Sequence, residues 1–174
     1  GVLGHGAGYS DYKTLEEALG TNLINYVYNS DNPSSQILDR KKLTPEAGKL
    51  IDEFLRRVKD KYNDPNPTTH YTDGTFHAWC VFNEVMPLAL KNYGEINADT
   101  LAKAFREIDV PPSRDPRNWG AKYAPPEHEI AGQNLRAMMT LLQRVDGKEY
   151  VAWPKRAQTI DPKFPWPKDY VLAK

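Results

Sequence analysis

The sequence predicts an α/β fold: a parallel sheet with flanking helices, followed by a β-hairpin near the carboxyl end. Three observations predict it. Residues 2–28 read as strand, glycine-rich loop, helix and strand, the order of an α/β unit. Segments 44–62, 73–93 and 97–108 carry apolar residues at helical spacing. Asp146-Gly147 separates two apolar runs, 137–144 and 148–153, and an Asp-Gly pair between such runs is a strong hairpin signal.

Each element has its own justification. Val2-Leu3 reads as the end of a buried strand that runs into Gly4-His5-Gly6-Ala7-Gly8, residues that tolerate positive φ. Ser10 or Asp11 caps a helix over 13–19 that Gly20 stops. Leu23 to Tyr28, β-branched and aromatic, reads as a second strand, and 29–42 as a loop of turn formers. Thr44-Pro45-Glu46 is a helix start with a hydroxyl cap and proline in the first turn. That helix places Leu50, Ile51, Phe54, Leu55, Val58 and Tyr62 on one face. The segment from Asp73 to Tyr93 is apolar nearly all round, which predicts burial on several sides, and Pro87 predicts a kink. Asn97 caps a further helix with a stripe of Leu101, Ala104, Phe105 and Ile108. Residues 110–126 read as a long Pro- and Arg-rich loop, and 160–167 as a surface tail.

Composition narrows the function. The chain has 174 residues, with 23 Lys and Arg against 23 Asp and Glu. A zero balance argues against a nucleic-acid partner, which needs a clustered positive excess. A single Cys excludes an internal disulfide framework and a thiolate zinc cage. No apolar run reaches the length of a membrane span, and the opening residues do not read as a signal peptide. Too few strands are present to bury both faces of a parallel sheet, so the chain reads as part of a larger α/β protein, with a self-sufficient small α+β domain as the competing reading.

The candidate chemistry is sparse. Gly4-x-Gly6-x-Gly8 lacks the third glycine of a dinucleotide fingerprint, since Tyr9 stands there, and lacks a P-loop lysine. It is either a tight turn or a ligand loop at a strand end, where backbone N–H groups suit a carboxylate or another anion. His128-Glu129 has Gly132 where a zinc helix needs its second histidine. Cys80 lies in the most apolar segment and reads as packing. Trp119, Trp153 and Trp166 lie in Pro-rich stretches, as lid elements or surface packing. No reaction centre, metal site or cofactor is expected.

Read together, several segments resemble a known family. Val2 to Tyr9, Leu19-Gly20 and the run to Tyr28 resemble the ligand-loop region of type I periplasmic binding proteins. The branch is that of branched-chain amino-acid, amide and aromatic-acid ABC transporters. Residues 44–62 are similar to the family's helix after the crossover, 75–94 and 97–108 to its paired helices. Gly132-Gln133-Asn134 and Leu142 through Pro154 are similar to its closing hairpin. The likeness in order and spacing covers nearly the whole chain and corresponds to the carboxy-terminal half of the family's length.

This resemblance implies a two-lobed receptor that captures a solute by hinge closure, without chemistry. Residues 1–30 would belong to the second lobe, 31–145 to the first, and 146–174 would return to the second and form the tail. The family's ligand contacts carry over to His5, Gly6, Ala7 and Tyr9 in the turn. They also carry over to Phe76 at the start of the apolar helix, with Asp73 and His77 beside it. The implied ligand is a small amino-acid-like, amide or aromatic carboxylate molecule. The implied partners are an ABC permease in the membrane and the missing amino-terminal half of the same protein. The implied location is the periplasm, or outside the cell in association with the transporter. Two alternatives stand beside it: a cytoplasmic amide- or amino-acid-sensing regulator on the same fold, and a small α/β enzyme using the Gly-rich turn.

Overall fold

The structure, a computed structural model, describes residues 3–5, 12–63 and 75–164. The chain forms two compact units. One comprises the chain to Pro33, Ile37–Lys42 and the chain from Met139 onward; the other comprises Ser34–Gln36 and Leu43–Met138.

The first unit is built on a sheet ordered β1-β2-β3-β4. Strand β1 (Leu3–His5) lies parallel to β2 (Tyr28–Asp31). Strand β2 is antiparallel to β3 (Thr140–Val145), and β3 to β4 (Lys148–Trp153). Helix and strand are mixed, as expected, but the parallel sheet is corrected: the β1-β2 pair alone is parallel. The reason is the hairpin, which supplies half the strands and can only pair antiparallel through a two-residue turn. That turn is Asp146-Gly147, with φ of 50° and 75°, the doubly positive geometry that a tight hairpin requires.

Helix α1 (Tyr12–Leu19) stops where Gly20 takes φ 81° and its N–H reaches the Glu16 carbonyl at 2.8 Å. The expected strand over Leu23–Tyr28 is not found. Thr21–Ile24 instead forms a single helical turn, α2, and Tyr26 turns with φ 60°. The ladder begins only where β3 offers partners: Tyr26 N–H donates to the Arg144 carbonyl at 2.8 Å, and Tyr28 registers with Gln143. Long-range pairing has overridden local β propensity.

Strand β3 is covered on both faces. Successive strand residues point to opposite sides, and Gln143 and Arg144 divide accordingly. Arg144 pairs with Glu16 of α1 at 2.6 Å. Gln143 instead holds the backbone of Lys163, so the expected surface tail is pinned to the sheet at that point.

The second unit is helical. Helix α3 (Pro45–Tyr62) starts as the sequence indicates: Thr44 Oγ1 accepts from Ala47 N at 3.3 Å, and Pro45 occupies the first turn. Only Ala47 and Ile51 of its apolar face are buried. Helix α4 (Thr75–Cys80) continues through a π turn (Val81–Val85) into α5 (Met86–Tyr93). Pro87 explains the wide turn. Its ring would clash with the carbonyl four residues back, and the π turn lies just upstream, with Met86 N–H bonded to Val81 O. Helix α6 (Ala98–Glu107) opens with a reciprocal cap between Asn97 and Thr100.

Phe76, Cys80, Val85, Ala89, Ala104, Ile108, Val110 and Ala121 make this unit's core. The long helix is not buried on several sides as expected: Phe82 is 67% exposed and Leu90 51%. The core lies against one face of the helix, toward α6 and the strand-like bridge of Val110 with Ala121.

Candidate functional site: an aromatic cavity in the helical unit

Residues from three stretches of the second unit line an open-sided cavity of about 670 Å³. Helix α3 contributes Glu46, Lys49, Leu50, Ile51 and Phe54 from its first three turns. Helix α4 contributes Thr75, Phe76 and Trp79. The one-turn 3-10 helix Pro112–Arg114 and its flank contribute Ser113, Arg114 and Pro116. The volume lies within the range of small-molecule sites, which are mostly apolar with a few placed polar groups. Phe76 and Trp79 stack with centroids 5.8 Å apart and planes 16° off parallel. That spacing follows from the helix: residues three apart share a face.

Arg114 closes the aromatic wall. Its guanidinium carbon lies 4.5 Å from the Trp79 ring, and its Nη1 is 2.7 Å from Glu84 Oε1. A cation over an indole face is attracted by the ring quadrupole. The backbone that carries Arg114 is anchored next door. The fully buried Asp115 accepts from Arg117 N at 2.9 Å and from Gly120 N at 3.1 Å, and Arg117 Nε lies 3.4 Å away. Arg117 in turn stacks on Trp119 at 4.7 Å. Trp119 is buried, so of its two expected roles, lid or packing, it packs, and in the interior rather than at the surface. Arg117 Nη2 and Trp119 Nε1 are buried N–H groups without a hydrogen-bond partner among the described residues.

The residues singled out in the sequence distribute as follows. His5 lies in β1, in register with Ser30. Gly6, Ala7, Tyr9 and Asp73 lie outside the described residues. Phe76 is buried and forms the cavity wall. His77, its neighbour, lines a different recess with Ala78, Val81, Phe105 and Tyr123. The structure therefore does not bring Phe76 and His77 to one cavity. Partial desolvation holds the His77 imidazole below its ordinary pKa; the Arg117 cation adds to this and Asp115 opposes it.

Cys80 is fully buried, and burial first, then the carboxylates of Asp115 and Glu84, push its thiol up to about 11. At neutral pH it is a packed thiol with almost no thiolate. His128 uses Nδ1 to accept from Ile130 N at 3.2 Å. Among the described residues no group of three or more His, Cys, Asp or Glu side chains is placed to hold a metal ion. No helix among them is long and apolar enough to cross a membrane.

Sequence reasoning found Phe76 and missed Trp79, Phe54, Lys49 and Arg114. The signal was present for Trp79, three residues beyond Phe76 on the same helix. Nothing local marks Arg114, because a Pro-rich loop does not reveal which helix it folds against. Compared with known proteins, the sequence matches no family model and no curated protein.

Proposed function

We propose that this chain binds a small aromatic or apolar solute in the cavity between α3, α4 and the 112–116 loop, and does so without transforming it. The observation that carries the reading is the cavity itself, in which stacked Phe76 and Trp79 are flanked by the charged groups of Arg114, Lys49 and Glu46. An apolar body needs the rings; orientation needs the polar groups. The inert state of the Cys80 thiol supports binding over covalent catalysis.

The resemblance to type I periplasmic binding proteins supplies the wider reading. In it the chain is part of a solute receptor for an ABC transporter, acting in the periplasm and presenting its ligand to a membrane permease. The lobe assignment of residues 1–30, 31–145 and 146–174, the ligand contacts in the 5–9 turn, and the hinge closure belong to this reading. A cavity formed by one unit alone can hold the apolar body of a ligand by itself.

Calorimetric titration with aromatic acids, short amides and amino acids tests it. Binding of at least one aromatic member is expected. Trp79→Ala should weaken that binding about tenfold or more, the loss of a stacked ring and its buried area. Silence across the panel overturns the reading.

A further inference from the structure

We infer that the cavity selects a carboxylate, and that Arg114 is the residue that reads it; this rests on the cavity being a solute site. In an α-helix, residues five apart sit about 140° apart around the axis. Trp79 and Glu84 are five apart, yet both contact one guanidinium, at 4.5 Å and 2.7 Å. The π turn over Val81–Val85 accounts for this, because its wider winding narrows the angle between such residues. Asn83 secures the turn by donating from Nδ2 to the Trp79 carbonyl at 3.0 Å. The irregularity set by one proline thus turns the helix into a two-point seat for Arg114.

That seat leaves the guanidinium oriented and underused. Glu84 engages Nη1, and the other N–H groups of Arg114 have no hydrogen-bond partner among the described residues. The backbone cannot drift, since Arg114 N–H bonds the Pro111 carbonyl at 3.1 Å and Asp115 N–H the Pro112 carbonyl at 3.0 Å. A planar guanidinium seated on Trp79 and Glu84, with further N–H donors unpaired among the described residues, matches a carboxylate attached to an apolar ring. The charges about the wall balance, Arg114 and Lys49 against Glu46 and Glu84, so selectivity rests on the donor geometry of the guanidinium. A neutral amide offers those donors one acceptor oxygen where a carboxylate offers two.

Calorimetry with phenylacetate, its neutral isostere phenylacetamide, and phenylalanine tests the inference. Phenylacetate should bind at least tenfold tighter than phenylacetamide. Arg114→Lys should erase most of that ratio, because a lysine cannot present two parallel N–H donors. Phenylalanine should bind no tighter than phenylacetate. Equal binding of the acid and the amide, or an unchanged ratio in Arg114→Lys, overturns the role of Arg114 and leaves the cavity reading intact. Failure of all three probes removes the cavity reading, and the inference with it.

Discussion

Asp115 and Arg117, two residues apart, form an ion pair whose side chains are 0% and 2% exposed, at 3.4 Å between Oδ1 and Nε. The carboxylate matters more as an acceptor than as a charge partner, since it also takes the backbone N–H groups of Arg117 and Gly120. Asp115→Ala strands a buried cation and two buried donors. Breaking such a pair from one side costs about 3–5 kcal/mol, and chemical denaturation should register a loss of that order. Asp115→Ala with Arg117→Met should recover part of it, because the stranded charge is gone. A loss below about 1 kcal/mol in the single variant would show that the pair is not the anchor of the 115–120 turn.

Glycine substitutions should separate two causes of strain in the same backbone region. Gly120 and Gly94 have φ of 73° and 79°. At Gly94 an added Cβ meets nothing within 4 Å, so alanine there bears only the left-handed penalty of about 1–2 kcal/mol. At Gly120 the Cβ would lie 2.2 Å from the Val110 carbonyl oxygen and 2.8 Å from the Pro111 carbonyl carbon. Those are backbone atoms and cannot rotate away. Gly120→Ala should therefore unfold the Val110–Ala121 bridge, seen as lost amide protection, whereas Gly94→Ala should remain folded with a modest drop in Tm.

These residues also mark how far the sequence could be read. Features set by a residue's own backbone preference were legible: the Asp146-Gly147 turn, the Thr44 and Asn97 caps, the stop at Gly20. The kink at Pro87 was legible as an irregularity, but not as a π turn that brings Glu84 and Trp79 to one partner. The strand over 28–31 was not, because Tyr28-Asn29-Ser30-Asp31 has weak local β propensity and is extended by its pairing with β3. The cavity was legible only at Phe76. Its other walls come from segments more than twenty residues away in the chain, and tertiary packing alone brings 46–54 and 113–116 beside it.

The tail offers a local test of side-chain-to-backbone pairing. Lys163 N–H donates to Gln143 Oε1 at 2.9 Å, and Gln143 Nε2 donates back to the Lys163 carbonyl at 3.2 Å. Gln143→Leu preserves the volume in β3 and deletes both bonds, together with the longer one from Nε2 to the Tyr26 carbonyl at 3.5 Å. A loss of about 1–2 kcal/mol is expected, one net hydrogen bond each. Faster hydrogen exchange at the Lys163 amide should accompany it, while the β2-β3 ladder amides keep their protection. Unchanged exchange at Lys163 would mean that the tail is held elsewhere.

Cys80 gives the protein a built-in alkaline signature. Its thiol has an ordinary value of 9.0 and is pushed up to about 11 in the folded chain. The native state therefore holds its proton at pH values where the unfolded chain has released it. Between about 9 and 11 the native state binds more protons, so this group makes stability fall as pH rises, by at most about 1.4 kcal/mol per unit. Below 9 the contribution is constant, and above 11 the loss is complete. Cys80→Ala should flatten this part of the stability profile, at the cost of a small cavity. The same proton shields the thiol from chemistry. A thiol-specific alkylating reagent should react with the native protein at pH 8 more slowly, by orders of magnitude, than with the unfolded chain, because the thiolate is both scarce and buried. Rapid native labelling at pH 8 would place Cys80 at an accessible, activated site and undo its assignment as core packing.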